Sequence, residues 1–207
     1  MKKLALIALA VPALAGTNEP VATVAPAPAA PCCALELGLT GNFATQNLAK
    51  RSVGYPKDID TMGVDLTAVH AFTPKHALTF RVGIDQGDET TRIFTDREKV
   101  YLRRISIMPG YRYTHPLSAK TAAFAGVNAG LVNQHIHYKA TGIKDDDSAW
   151  GLGASGEVGM SYKLCPSSEI FAAYQMTGNN VNNDFGHGRK SHRQIHHGVR
   201  VGVGIKF

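Results

Sequence analysis

The segment Ile195-His-His-Gly-Val-Arg-Val-Gly-Val-Gly-Ile-Lys-Phe207 alternates almost without a break. Side chains of a strand point alternately to its two faces. Ile195, His197, Val199, Val201, Val203, Ile205 and Phe207 therefore share one face, and His196, Gly198, Arg200, Gly202, Gly204 and Lys206 the other. One face is apolar; the other sets cations among glycines. A strand with lipid outside and a polar lumen inside needs this division, so the segment predicts a transmembrane β-strand.

The opposite end agrees. Met1-Lys2-Lys3 is basic, Leu4 to Leu14 is apolar, and Ala13-Leu14-Ala15 precedes Gly16, the pattern of a signal peptide over residues 1–15 with cleavage after Ala15. The apolar run is too short for a spanning helix, and no later stretch reaches the roughly 18 to 20 apolar residues such a helix needs. Membrane residence then requires strands, although a secreted β-sandwich would carry the same leader. Residues 16–33, with Pro20, Pro26, Pro28 and Pro31, read as a periplasmic lead-in without regular structure. With a formal charge of +6, charged residues at 18% and no zinc-type spacing or phosphate loop, neither nucleic acid nor a metal or cofactor is expected. Residues 34–207 read as one folded domain.

Eight strands are expected there: β1 at 34–44, β2 at 61–72, β3 at 76–86, β4 at 99–114, β5 at 121–137, β6 at 149–163, β7 at 169–177 and β8 at 195–207. Alanine and glycine blur the alternation of β5. The connections 45–60, 87–98, 138–148 and 178–194 are long and polar, while 73–75, 115–120 and 164–168 are short. Long outer loops with short periplasmic turns are the rhythm of a membrane barrel, and a sandwich predicts no such asymmetry. Phe72, Tyr111, Tyr113, Tyr162 and Phe207 fall near the periplasmic strand ends, with Phe43, Tyr101 and Trp150 near the outer ends, as two aromatic girdles.

A barrel of eight strands is filled by its own side chains, so inward charges must pair. The alternation sends Glu36, Asp65, Asp85 and Glu157 inward together with Arg81, Arg104, Arg112, Arg200 and Lys206. Heights on neighbouring strands suggest Glu36 with Lys206, Asp65 with Arg81, and Asp85 with Arg104, a structural charge network. Cys165, in the turn after β6, shares the oxidising periplasmic side with Cys32 and Cys33, and a disulfide to one of them is expected.

The leader, the loop rhythm and the ending Val199-Arg-Val-Gly-Val-Gly-Ile-Lys-Phe207 make residues 34–207 resemble the small eight-stranded outer-membrane barrels, the group of opacity-type adhesins and attachment-related surface barrels. The resemblance implies an all-β, up-and-down antiparallel transmembrane barrel in the outer membrane of a Gram-negative-type cell, with a side-chain-filled lumen and four long extracellular loops. It also implies that the barrel assembly machinery reads Phe207 as an assembly signal, and that outer-membrane lipid and lipopolysaccharide surround the chain. The group holds adhesins, host-factor binders, structural barrels and a few lipid-modifying enzymes, so membership does not choose an activity.

Loop four is richest in recognisable chemistry. His187, Arg189, Lys190, His192 and Arg193 suit acidic glycans, host surface molecules or lipopolysaccharide phosphates, and Lys50, Arg51 and Lys57 of loop one add to them. His187, His192, His196 and His197 have metal-ligand chemistry, but a regular β8 sends His196 and His197 to opposite faces. Asp145-Asp146-Asp147 carries the carboxylates of a calcium site, though such a triplet is more often a solvated turn. Outward Arg103, beside Tyr101, is placed to reach a lipid phosphate at the outer rim. Catalysis would need a Ser with a His in reach, and His135 or His137 with Ser148 is the available pair. The His-x-Ser-Asn signature of the deacylase barrels is absent, however, and Pro-rich 16–31 stands where the acyltransferase type has an amphipathic helix. The expectation is a non-enzymatic surface barrel, structural or adhesive, with a lipid A-modifying enzyme and a narrow ion channel as alternatives.

Overall fold

A computed structural model describes residues 33–47, 59–93, 96–140, 143–184 and 189–207. Eight antiparallel strands close into one barrel in chain order: β1 (Cys33–Asn47), β2 (Thr61–Ala71), β3 (His76–Ile93), β4 (Asp96–Pro116), β5 (Thr121–Ala140), β6 (Ile143–Cys165), β7 (Ser168–Asp184) and β8 (Arg189–Lys206). Closure is made by β8 on β1, with Ala34 opposite Lys206 and Leu39 opposite Val201. A closed barrel leaves no unpaired edge, which is the condition for strands to cross hydrocarbon.

The period-2 pattern decides what faces the lipid. Leu37 pairs with Leu66, Leu66 with Val82, Val82 with Ile107, Ile107 with Leu131 and Leu131 with Leu152, so one apolar row winds across six strands. These residues face outward, Leu131 being 50% and Leu152 69% exposed, a waste of apolar surface in water and a match to lipid. The same path continues through Asn180 and Arg193 and returns to β1 beside Asn47, well up the strand from Leu37, because strands of a closed barrel are tilted and staggered.

The periplasmic turns are built from hydroxyl side chains. Thr73 Oγ1 accepts from the backbone N–H of Lys75 at 3.3 Å and His76 at 3.0 Å, and Ser118 Oγ accepts from Lys120 at 3.2 Å and Thr121 at 3.0 Å. At the lower rim His76 stacks on Phe72 at 6.0 Å and lies beside Tyr111 and Tyr113.

Three of the four outer connections differ from expectation. The segments 87–98, 138–148 and 178–194 are largely strand: β3 runs to Ile93 and β4 starts at Asp96, β5 and β6 meet across Ala140 and Ile143, and β7 and β8 across Asp184 and Arg189. Between β1 and β2, residues 48–58 lie outside the described residues. Backbone pairing does not require lipid, whereas the apolar-outward pattern does, so the hydropathy signal ends at the membrane surface while the ladders continue.

Above the membrane the pattern changes phase. Along β4, Ile105 and Ile107 face outward with Arg104 inward; farther up, Lys99 and Arg103 face outward, while Val100 and Leu102 are buried at 2% and 1% exposure. Val100, Leu102, Ile136 and Ile59 form one apolar cluster in the upper lumen, and Met108, Val132 and Val181 form another. Where the exterior is water the hydrophobic effect turns apolar side chains inward, as in a soluble barrel. For β5, whose facing the sequence left open, Phe124, Asn128, Val132, Gln134 and Ile136 are the buried, inward residues.

Candidate functional site

Two constellations carry chemistry: a charged layer in the lumen and a polar patch on the outer surface. In the lumen Arg81, Arg112 and Arg200 meet Glu36, Asp65 and Glu157, all at 6% exposure or less. Arg200, fully buried, donates from Nε to both Asp65 oxygens at 2.9 Å and from Nη2 to Oδ1 at 2.5 Å. Its Nη2 also donates to Thr67 Oγ1 at 3.0 Å, and its Nη1 lies 3.4 Å from Glu36 Oε2. Arg81 donates from Nη2 to Glu157 Oε2 at 2.5 Å and from Nη1 to Gln175 Oε1 at 3.1 Å. Arg112 bridges Glu36 and Glu157, its Nη2 lying 3.0 Å from each. Nearer the outer side Arg104 grips Asp85 with Nη2 at 2.8 Å and Nε at 3.0 Å. Equal numbers of cations and anions, each hydrogen-bonded, is the condition under which buried charge is tolerated.

Small and aromatic residues make the layer fit. Gly38 of β1 lies between β2 and β8, and a Cβ there would fall 2.6 Å from Asp65 Oδ2 and 2.7 Å from Arg200 Nε. The missing side chain is the passage through which the two charges meet. Phe171 fills the space over Gly202 and carries the Arg200 guanidinium 4.5 Å above its ring; Phe124 does the same for Arg112 at 4.7 Å. A cavity of about 40 Å³, lined by Asp65, Arg81, Asp85, Arg104 and Gln175 together with Val64, Ile84, Met108 and Val132, has room for a few waters.

One pairing differs from expectation. Lys206 Nζ donates to Glu169 Oε2 at 2.6 Å, not to Glu36. Gly204 stands opposite both Glu36 and Glu169; Glu36 turns up the lumen to Arg112 and Arg200, leaving Glu169 for the lysine. Glu169 shares inward parity with Phe171 and was legible by alternation from Ile170. Arg81 Nε lies 3.9 Å from Asp65 Oδ1, as the strand heights suggest, although Arg200 holds that carboxylate more closely at 2.5 Å.

Cys165 is not bridged to Cys33. Cys33 Sγ lies 3.6 Å from His70 Nδ1, while Cys165 Sγ lies 2.9 Å from Ser168 Oγ and 3.4 Å from Ser167 Oγ. β6 and β1 are separated by β7 and β8, roughly three strand spacings of about 4.8 Å, beyond the roughly 7 Å Cα limit of a disulfide. Cys32 lies outside the described residues. The Ser167 and Ser168 hydroxyls, hydrogen-bonding the exposed sulfur, lower the Cys165 thiol to about 7.

On the exterior, β3 to β6 carry a polar patch just above the belt. Tyr101 Oη donates to Gln86 Oε1 at 2.9 Å. His135 Nε2 lies 3.1 Å from Asp146 Oδ1, and His137 Nδ1 lies 3.9 Å from Oδ2. Ser148 is the cross-strand partner of His135, yet its Oγ exchanges hydrogen bonds with the Asn133 amide at 3.3 and 3.4 Å. Of the aspartate run, Asp146 is exposed outward and Asp147 is turned to the other face of the strand.

Lys50, Arg51, Lys57 and His187 lie outside the described residues. Arg189, Lys190, His192 and Arg193 belong to β8, opposite Asp184, Asn183, Val181 and Asn180 of β7, with only their backbone described. His196 is fully buried in the lumen and His197 faces out, 2.6 Å from Tyr174 Oη. Phe207 is 72% exposed, its N–H donating to Cys33 O at 3.0 Å.

Among solved structures, neisserial surface protein A is similar over 84% of this chain and 97% of its own, at a TM-score of 0.52 and 15% identity. Ail, the attachment invasion locus protein of Yersinia pestis, is similar over the same shares at 0.51 and 12%. The chain has the fold of the small eight-stranded outer-membrane barrels. The outer membrane protein OprG of Pseudomonas aeruginosa, at 0.50 and 14% over 86% of this chain and 96% of its own, shares it. No family model and no curated protein matches the barrel by sequence. Its apolar belt and its fold place it in the outer membrane of a Gram-negative bacterium.

Proposed function

We propose that this barrel is a non-enzymatic surface protein whose structural or adhesive role is exerted at its outer end, where cationic residues meet acidic glycans or other host surface molecules. The observation that carries the reading is the strand extension. Arg189, Lys190, His192 and Arg193 sit on a paired strand held above the belt by β7. A basic segment on a ladder loses less conformational entropy on binding than one on a free loop. The heparin analogue sucrose octasulfate, bound by Ail in one solved structure of this fold, is a polyanion of the class expected here. The packed lumen layer supports a role without solute passage. Arg189→Glu, Lys190→Glu and Arg193→Glu together are expected to lower binding of intact cells or purified barrel to immobilised heparin at least tenfold. Unchanged binding overturns the reading.

A second reading, hydrolysis of an outer-leaflet lipid, is favoured by the His135–Asp146 contact beside Ser148 on the lipid-side exterior. Mass spectrometry of lipid A from cells with and without the gene tests it, since a lost acyl chain means an enzyme and an unchanged mass removes this reading.

A further inference from the structure

Cations stand in register on the outer surface of β4, β5 and β6. Lys99 pairs with Lys139, and Lys139 with Lys144, all three exposed. Like charges directly opposite one another on a sheet face repel, so the row is under electrostatic tension until an anion joins it. Four residues closer to the membrane along β4 stands Arg103, exposed on the same face, and the next outward row is Ile105, Asn133 and Trp150, the upper limit of the apolar belt. Among the described residues, Asp88 lies 3.0 Å from Lys99, and Asp146 is engaged by His135 at 3.1 Å. Among the described residues no carboxylate bridges Lys139, Lys144 or Arg103.

We infer that this face binds a phosphorylated lipid of the surrounding outer leaflet, its acyl chains against Ile105, Leu131 and Trp150 and its anionic headgroup against Arg103 and the lysine row. Continuity argues for a lipid: belt and cations lie on the same three strands, so one amphiphile reaches both without leaving the sheet. The span argues for a headgroup with more than one anionic group. At about 3.4 Å per residue, four residues of β4 separate Arg103 from Lys99 by roughly 14 Å, farther than a single phosphate reaches. Bidentate guanidinium–phosphate contact at the lower level and lysine point charges at the upper one fit such a headgroup.

The chain holds one tryptophan, Trp150, outward and 58% exposed, which makes its fluorescence a reporter of this face. The folded full-length chain in maltoside micelles is titrated with diphosphorylated lipid A, with the same lipid dephosphorylated, and with inorganic phosphate. Saturable change with the diphosphorylated lipid is expected, with the apparent Kd raised at least tenfold in Lys99→Gln/Lys139→Gln/Lys144→Gln and restored in the matching Lys→Arg variant. The single Lys139→Gln, at the centre of the row, gives the same readout with a smaller loss if the triple variant does not fold. Equal binding of the dephosphorylated lipid, or an unchanged Kd in the glutamine variants, overturns the inference. Displacement of the lipid by inorganic phosphate at equal concentration overturns it too, since it means a site for free anions.

Discussion

Arg200 of β8 and Asp65 of β2 meet across the strand between them, Nη2 to Oδ1 at 2.5 Å, through the gap left by Gly38. Neither strand is the other's neighbour in the sheet, so the pair ties the closing seam of the barrel from inside. Asp65→Ala leaves a fully buried guanidinium without its main partner, and breaking a buried pair this way costs about 3–5 kcal/mol. Urea unfolding of the reconstituted barrel, followed by Trp150 fluorescence, is expected to show a midpoint shift of that size. A shift under about 1 kcal/mol would mean that Glu36 and Glu157 hold Arg200 unaided.

Adding one carbon at Gly38 forces apart two charges that cannot relax far. Gly38→Ala is expected to destabilise the barrel by about 1–3 kcal/mol, the usual range for overpacking. Gly178→Ala is the control, because a Cβ there meets nothing within 4 Å. If the two variants unfold alike, the passage at Gly38 has no structural weight.

The phase change along β4 predicts opposite tolerances for neighbouring residues. Leu102→Lys places a charge in an apolar cluster at 1% exposure and is expected to cost several kcal/mol. Arg103→Leu, one residue away and facing out above the belt, is expected to stay within about 1 kcal/mol. Heat-modified electrophoretic mobility as a function of temperature ranks the two, and the reverse order would contradict the upper-lumen core.

Cys165 offers a pH-dependent readout. Its thiol, lowered to about 7 by Ser167 and Ser168, is largely thiolate above that pH and thiol below it. Iodoacetamide labelling is expected to be half-maximal near pH 7 and to fall to about a tenth of its plateau one pH unit lower. Ser168→Ala removes one of the hydrogen bonds and is expected to move the midpoint upward; a midpoint unchanged by that substitution would show that the hydroxyl does not act on the sulfur.

Alternation was enough to place Glu36, Asp65, Glu157 and Arg200 inside and Leu37, Val82 and Leu152 outside, because a period-2 pattern has only two phases and lipid tolerates one of them. It did not locate the strand ends, since the ladders outlast the belt, nor the inward turn of Val100, Leu102 and Ile136, whose signal is a reversal of phase rather than a continuation. That reversal is written in Lys99-Val-Tyr-Leu-Arg103 and is read only by someone who expects water around the upper barrel. The lysine row was invisible for a different reason. Lys99, Lys139 and Lys144 belong to three strands, and nothing in their spacing along the chain sets them opposite one another.

Local sequence thus determined which way side chains face wherever the alternation is clear, β5 excepted, because facing follows from the backbone's own two-residue repeat. Heights on neighbouring strands also gave Asp85 with Arg104 and Asp65 with Arg81, but the pairings that reach across the lumen were decided by tertiary structure. Closure with strand stagger brings the charges of β1, β2, β3, β4, β6 and β8 to one level of the lumen, and there Glu36 takes Arg112 and Arg200 while Lys206 is left to Glu169. The choice rests on heights set by the register of all eight strands together, a quantity that no single segment contains.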